Sequence, residues 1–370
     1  MGKFILTCSL AVMLCGASLA IILYPEKNTV LVGENRKQAQ FPTVPKHITS
    51  SNIKEYFKGI DSFATDRFPG RLFLIHLATT MTTRVLKDNL DTDKCYKGKD
   101  GWLFLGNSYA STIDKLTGRL VLNQAELEKK RQIYSARNDT CKSLGIEYAL
   151  FIGPSKSTIY PEYLPTTIKP AAVRYITPLY YELKKRDVTV YDPTPVLVAA
   201  KNNGLLYFRS DTHWNILAGS VAFSGFTAQM HWPPLPPHSF QPGPLHSGDL
   251  VIIGGLQKSY VPRPGDSYNL LWDTPVTIER IEANGGRATV QNNNYGPYPP
   301  GGDIYNAQAV TNRTAWIFCD SFGAALYPYL NAMFKETRYF YAAPVDWEKQ
   351  IRAADKKPDI IIEIITERSF

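Results

Sequence analysis

Phe4 to Tyr24 is an unbroken apolar stretch with Lys3 before it and no charge inside it. At ~1.5 Å per helical residue, about twenty such residues cross the hydrocarbon core of a bilayer. Lys3 on the near side fits the positive-inside tendency, so residues 1–24 are expected to anchor the chain in the inner membrane. Ser18-Leu19-Ala20 offers small residues to a signal peptidase, which makes cleavage the alternative; both place the remainder in the periplasm. A polar segment over 25–92 follows, with helical spacing around Ile53–Phe63 and Leu72–Val85. Beyond it the pattern alternates. Asn123 is placed to cap a long helix through Leu144, with Gly145 in the C′ position. The apolar run 146–154 reads as a strand, 171–186 as a helix, 188–192 as a strand, 194–202 as a helix and Trp214–Met230 as another. The same alternation resumes with a strand over 314–320, a helix to Phe334, a strand over 338–342, a helix near 346–354 and a last strand over 359–365. Strands separated by helices predict a parallel sheet covered on both faces, a single α/β domain over 93–370. The stretch 232–313 breaks the pattern: Pro, Gly, Asn and Tyr dominate, and short alternating runs such as 276–281 predict an insertion of loops and small strands.

Composition changes this picture little. The net charge of +8 is spread along the chain, with nothing longer than Lys129-Lys130-Arg131, so the concentrated stripe that nucleic-acid binding requires is missing. Of five cysteines, Cys8 and Cys15 fall in the apolar stretch; Cys95, Cys141 and Cys319 remain, enough for one bridge, Cys95–Cys141, or for three free thiols. No cysteine or histidine spacing matches a metal site, and no cofactor is expected; His231, His238 and His246 are scattered through the insertion.

Two short motifs carry chemistry. In YFRSDTHWN (207–215), Asp211 and His213 lie two apart, and in an extended segment they share a face. A carboxylate there holds the imidazole in one tautomer and stabilises its protonated form, the orienting part of a catalytic triad. Asp211 also precedes a helix, so a plain capping role is the competing reading. In TAWIFCDSFGAALYPYL (314–330), four apolar residues form a buried strand, Cys319-Asp320-Ser321 turn, and an apolar helix begins. A serine at such a turn exposes its hydroxyl, with backbone N–H groups at a helix start to receive an oxyanion. Gly323 would let a substrate approach closely; Asp320 or Ser321 as a simple cap is the alternative. A literal Gly265-Asp266-Ser267 also occurs, but Pro262 and Pro264 precede it and no helical pattern follows, so it reads as a turn.

With these motifs in place, the chain resembles the alginate O-acetyltransferase family of the AlgJ and AlgX type, an SGNH-hydrolase-like group. The resemblance rests on seven blocks in order: DRFPGR (66–71), GKDGWLFLGN (98–107), GPSKSTIYPEYLP (153–165), YFRSDTHWN (207–215), SGDL (247–250), CDSF (319–322) and PDIIIEIITERSF (358–370). It implies a flavodoxin-like α/β/α sandwich with Asp and His before Ser in the chain. Ser321 is then the nucleophile, His213 the general base and Asp211 its orienter. It further implies acetyl transfer to an exported polysaccharide, alginate-like or another, with a membrane-bound O-acyltransferase as partner supplying acetyl groups. Cys319 stands where the family usually has Gly; a position needing positive φ would be strained by its Cβ. Lys156, just past a strand end, and Tyr295, Tyr298 and Trp272 in the insertion are candidate sugar contacts; surface solvation and loop packing are their competing fates. Asp249 in SGDL is placed to support the active-site loop or simply to make a turn. The same residues would serve an esterase that removes acetyl groups, and a non-catalytic polysaccharide-binding protein would keep the fold.

Overall fold

The computed structural model describes residues 30–31, 36–37, 39–45, 49–67, 93–281, 285–292, 303–341 and 347–370. The apolar stretch 4–24, the periodic run 72–85, Tyr295 and Tyr298 lie outside them. Among the described residues no helix is long and apolar enough to cross a membrane. Contacts divide the chain into two units, 1–91 with 251–260 and 92–250 with 261–370. In the first, the helical spacing around Ile53–Phe63 belongs to helix α1 (Ser50–Asp66), capped by Thr49, whose side chain accepts from the Asn52 N–H at 3.2 Å.

The second unit is built on one eight-stranded sheet. In chain order its strands are β1 (Glu147–Gly153), β2 (Thr189–Tyr191), β3 (Thr277–Ile281), β4 (Arg287–Gln291), β5 (Asp303–Tyr305), β6 (Thr311–Cys319), β7 (Phe334–Tyr341) and β8 (Ile360–Thr366). They lie side by side as β4-β3-β5-β7-β6-β8-β1-β2. From β7 to β2 every pairing is parallel; β5, β3 and β4 extend the β7 edge with antiparallel pairings. The insertion is therefore more than a set of loops: three of its short strands continue the main sheet, and His238–Pro242 pairs with Tyr268–Trp272 as a separate hairpin.

Period-two alternation assigns the two faces. Ala149, Phe151, Ile317, Ile362 and Ile364 join one buried cluster with helix α5 (Ile216–Gln229), whereas Leu150, Ile152, Trp316, Phe318 and Ile361 join the other with Cys141, Leu179 and Leu183. Those last three come from helices α2 (Gln124–Ser143) and α3 (Thr177–Lys184). Helices thus cover both faces, as a sandwich requires. Helix α2 begins with a full capping box between Asn123 and Glu126 and is followed by Gly145 at φ 69°. Helix α3 starts later than the sequence pattern predicts, at Thr177 rather than 171, with Pro178 in its first turn. Helix α4 (Thr194–Ala199) ends in a single 3₁₀ turn, and helix α6 (Tyr327–Met333) is preceded by a 3₁₀ segment, Ser321–Leu326. Cys95, Cys141 and Cys319 are free and buried, and burial pushes each thiol up to about 12, which leaves them unreactive at neutral pH.

Candidate active site

The carboxyl ends of β6, β8 and β1 meet at one edge of the sheet, the position where parallel sheets gather functional groups. Strand β6 ends at Cys319, and Asp320 turns the chain into the 3₁₀ segment that starts at Ser321. Asp320 fixes this elbow. Its Oδ1 accepts from the Phe322 N–H at 2.9 Å, and its Oδ2 accepts from the Thr366 N–H at 2.8 Å and hydroxyl at 2.5 Å at the end of β8. Asp320, not Ser321, is the cap, which leaves the partly exposed Ser321 hydroxyl free for other work. Cys319 has no positive φ, so the feared backbone strain is absent. Its buried thiol lies 3.7 Å from the Tyr327 hydroxyl. A Cβ on Gly323 would stand 2.8 Å from both Cβ and Sγ of Cys319, so this glycine makes room for the cysteine rather than for a substrate.

The Asp211–His213 pair forms in a turn, not the extended segment expected. Tyr207 and Trp214 bridge antiparallel, folding 208–213 into a tight loop. At its tip Asp211 Oδ1 accepts from both the backbone N–H of His213 at 3.0 Å and its Nδ1–H at 2.6 Å. The cap of α5 is Asn215, whose side chain accepts from the Ala218 N–H at 3.1 Å, so Asp211 has no capping duty. Trp214 ties the loop to the elbow by donating from Nε1 to the Phe322 carbonyl at 2.8 Å, and the His213 and Phe322 rings are 5.4 Å apart. The second imidazole nitrogen, Nε2 of His213, is buried and has no hydrogen-bond partner. With the proton on Nδ1, that atom is a bare acceptor. Ser321 makes no hydrogen bond to it.

The other Asp211 oxygen is equally engaged. Oδ2 accepts from His246 Nε2 at 3.0 Å and, more weakly, from the Asp249 N–H at 3.3 Å. Asp249 accepts from the Thr212 N–H at 2.8 Å and hydroxyl at 2.6 Å, and its carboxylate is 3.8 Å from His213 Nδ1. The SGDL block therefore supports the loop, as its sequence position suggested. Burial works against ionising Asp211, but hydrogen bonds from His213 and His246 outweigh it and hold its carboxyl well below the usual range. Burial likewise disfavours the His213 cation, yet Asp211, reinforced by Asp249, raises its pKa above the ordinary value. Ligand atoms of Asp211, His213 and Asp249 lie within 4.8 Å of one another, but these atoms are already hydrogen-bonded in orienting the imidazole, so they present no open metal position. Gly248 packs on Asp211 so closely that a Cβ would meet Asp211 Cβ at 2.3 Å and Oδ2 at 2.4 Å. Gly248→Ala should lower stability by about 1–3 kcal/mol and slow acylation at least about tenfold by displacing Asp211. Thermal melts and rates measured together check this, and a variant equal to wild type in both refutes it.

One proposed sugar contact is corrected. Lys156 is buried at 4% exposure, and its ammonium donates to the carbonyls of Phe208 at 3.1 Å, Arg209 at 3.1 Å and Asp211 at 2.7 Å. It is a tether inside the catalytic loop, unable to reach a sugar. Trp272, partly buried, donates from Nε1 to the Asn292 carbonyl at 2.6 Å and packs on Tyr329 and His238. The rejected Asp266 has a structural duty of its own: its buried carboxylate accepts from the Arg209 N–H at 2.9 Å and braces the loop from outside. The sequence reading missed His246 and Arg368. The Arg368 guanidinium lies 5.1 Å over the Phe322 ring. His246 stands one residue before SGDL, the one local signal that pointed to it.

Residues 95–243 match the SGNH hydrolase-like domain of acetyltransferase AlgX; the match includes Asp211 and His213 and ends before Ser321. A probable alginate O-acetylase AlgJ from Pseudomonas aeruginosa is 26% identical over 181 residues, 45% of this chain and 43% of that protein. The chain thus spans less than half the length of this curated relative. Among solved structures, a DHHW family protein from Eubacterium siraeum superposes with a TM-score of 0.54 at 16% identity, over 75% of this chain and 92% of the other. Bacillus cereus PatB1 with a sulfonyl adduct gives 0.51 at 14% identity, over 76% and 95%. At these identities the two structures speak to the fold, an SGNH-hydrolase-like α/β sandwich.

Proposed function

We propose that this chain transfers acetyl groups to hydroxyls of an exported polysaccharide through an acetyl-Ser321 intermediate. The observation that carries the reading is the buried, unpartnered Nε2 of His213, held in its acceptor tautomer by Asp211 beside the elbow that presents Ser321. In the first half-reaction Nε2 takes the Ser321 proton as Oγ bonds to the acetyl carbon, and the leaving group departs with that proton. In the second, a sugar hydroxyl gives its proton to Nε2 and its oxygen takes the acetyl group, restoring Ser321. The names of the curated relatives support transfer over hydrolysis. The N-terminal apolar stretch would hold the enzyme on the periplasmic side of the inner membrane, next to a membrane-bound O-acyltransferase that supplies acetyl.

Peptide mass spectrometry after brief exposure to p-nitrophenyl acetate tests the nucleophile, comparing wild type with Ser321→Ala. An acetyl adduct on the Ser321 peptide is expected in wild type and absent from the variant. Adding oligosaccharide acceptors should then move the label to sugar. No adduct at any quench time, with no ester turned over, would make the chain a binding protein, and release to water with every acceptor would make it an esterase.

A further inference from the structure

The elbow alone is poorly equipped to hold an oxyanion. Acyl transfer places a full negative charge on the former carbonyl oxygen, and preorganised donors must meet it. Of the first three N–H groups of the 3₁₀ segment, that of Phe322 is bound to Asp320 Oδ1 at 2.9 Å and that of Gly323 to the Asp320 carbonyl at 3.0 Å. Only the Ser321 N–H lacks an acceptor among the described residues.

Arg368 is a source of further donors beside the elbow. It lies two residues past β8, whose Thr366 already grips the elbow through Asp320. Its backbone is clamped: Lys115 Nζ donates to the carbonyls of Arg368 at 2.6 Å and Phe370 at 2.8 Å. The neighbouring Glu367 side chain accepts from the Ser155 N–H at 2.7 Å and from Thr158 and Arg174. The guanidinium, by contrast, has no carboxylate or carbonyl partner among the described residues; it lies over the ring of Phe322, the residue after Ser321. The guanidinium offers five N–H donors in a planar fork, a geometry suited to an oxyanion.

We propose that Arg368 supplies the missing half of the oxyanion site. On this account, which rests on Ser321 being the nucleophile, Oγ bonds to the acyl carbon while its proton moves to His213 Nε2. The carbonyl π pair moves onto oxygen, which accepts hydrogen bonds from the Ser321 N–H and the Arg368 guanidinium. Collapse returns the pair to the carbonyl, breaks the bond to the leaving group, and passes it the proton from His213. Arg368 also faces His213 electrostatically, its charge opposing the cation that Asp211 and Asp249 favour; His246 and Lys156 act on the same imidazole through Asp211.

The test uses the full chain, p-nitrophenyl acetate and the variants Arg368→Gln and Arg368→Lys. Glutamine should lower the limiting rate of Ser321 acylation about 100-fold while leaving half-saturation within about twofold, and lysine should recover about tenfold of that loss. The acid limb of the pH–rate profile should move to higher pH in Arg368→Gln, because a charge opposing protonation of His213 is gone. A merely structural arginine would lower the melting temperature without moving the limb or responding to lysine, and that result overturns the proposal. A normal adduct on wild-type Ser321 with an unaffected Arg368→Gln rate removes this inference alone. No wild-type adduct removes the reading of Ser321 as well.

Discussion

Asp211→Asn is expected to lower the rate of Ser321 acylation about ten-thousand-fold while leaving the fold intact, because it strips the imidazole of both its anion and its enforced tautomer. Four donors converge on this carboxylate: the backbone N–H and Nδ1–H of His213 on one oxygen, His246 Nε2 and the Asp249 N–H on the other. An amide has only one acceptor oxygen, so whichever way it faces, its NH₂ group meets two of those donors. If the NH₂ faces His213, the ring must turn its lone pair to Nδ1 and carry its proton on Nε2, the atom that has to accept from serine. If it faces His246, the tautomer survives but the charge is lost. The pH dependence separates these effects from simple damage. His213 is raised above its ordinary value of 6.5 chiefly through its hydrogen bond to Asp211, and only the neutral ring can act as base. Wild-type acylation should therefore rise with pH through a midpoint above 6.5, and in Asp211→Asn the remaining activity should rise through a lower one. A variant with the wild-type midpoint and rate would show that Asp211 does not act on His213.

What could be read from residues alone divides by range. The sheet was legible because its evidence is local: near-continuous apolar runs such as 147–153 and 360–366 send successive side chains to opposite faces, and both faces proved to be covered. The helix from Asn123 was legible for the same reason, since its cap and its stop, Asn123 and Gly145, flank it directly in sequence. The elbow at Ser321 and the two-residue spacing of Asp211 and His213 were legible as patterns, though not the turn that joins the latter pair. Contacts between distant segments were hidden. His246 reaches Asp211 across 35 positions, and its place next to the SGDL block was the one local signal of that contact. Gly323 looked like an opening for substrate until the side chain of Cys319, four residues earlier, was seen to fill the space. The insertion strands were seen as short alternating runs, but their pairing onto β7 depends on an edge that no local pattern describes.

Lys156 shows the same limit most sharply, and it carries the largest expected effect on stability. At the end of β1 a lysine is ordinarily solvated, yet this one lies beneath the catalytic loop, with its ammonium near the Trp102 and Phe104 rings at 5.6 and 5.2 Å. Its three N–H donors match three inward-facing carbonyls, of Phe208, Arg209 and Asp211, one for one. Burial pushes its pKa down to about 8, with Asp211 opposing the shift, so the group remains mainly protonated at neutral pH. Lys156→Met keeps the stem and suits the aromatic rings, but leaves three carbonyls facing inward without a donor. Removing one side of such a buried, charge-assisted network should cost about 3–5 kcal/mol. The pH dependence has a definite sign. Because the folded value lies below the ordinary lysine value of 10.5, the native state releases this proton first as pH rises. The unfolded chain then binds more protons, so wild-type stability gains from this group between about pH 8 and 10.5, and the gap to Lys156→Met should widen over that window. Denaturant titrations at pH 7 and pH 9 measure both quantities. An unchanged midpoint at pH 7 would mean that the carbonyls find other donors when the lysine is gone. The catalytic loop would then be held from outside, by Asp266 and the 246–250 segment alone.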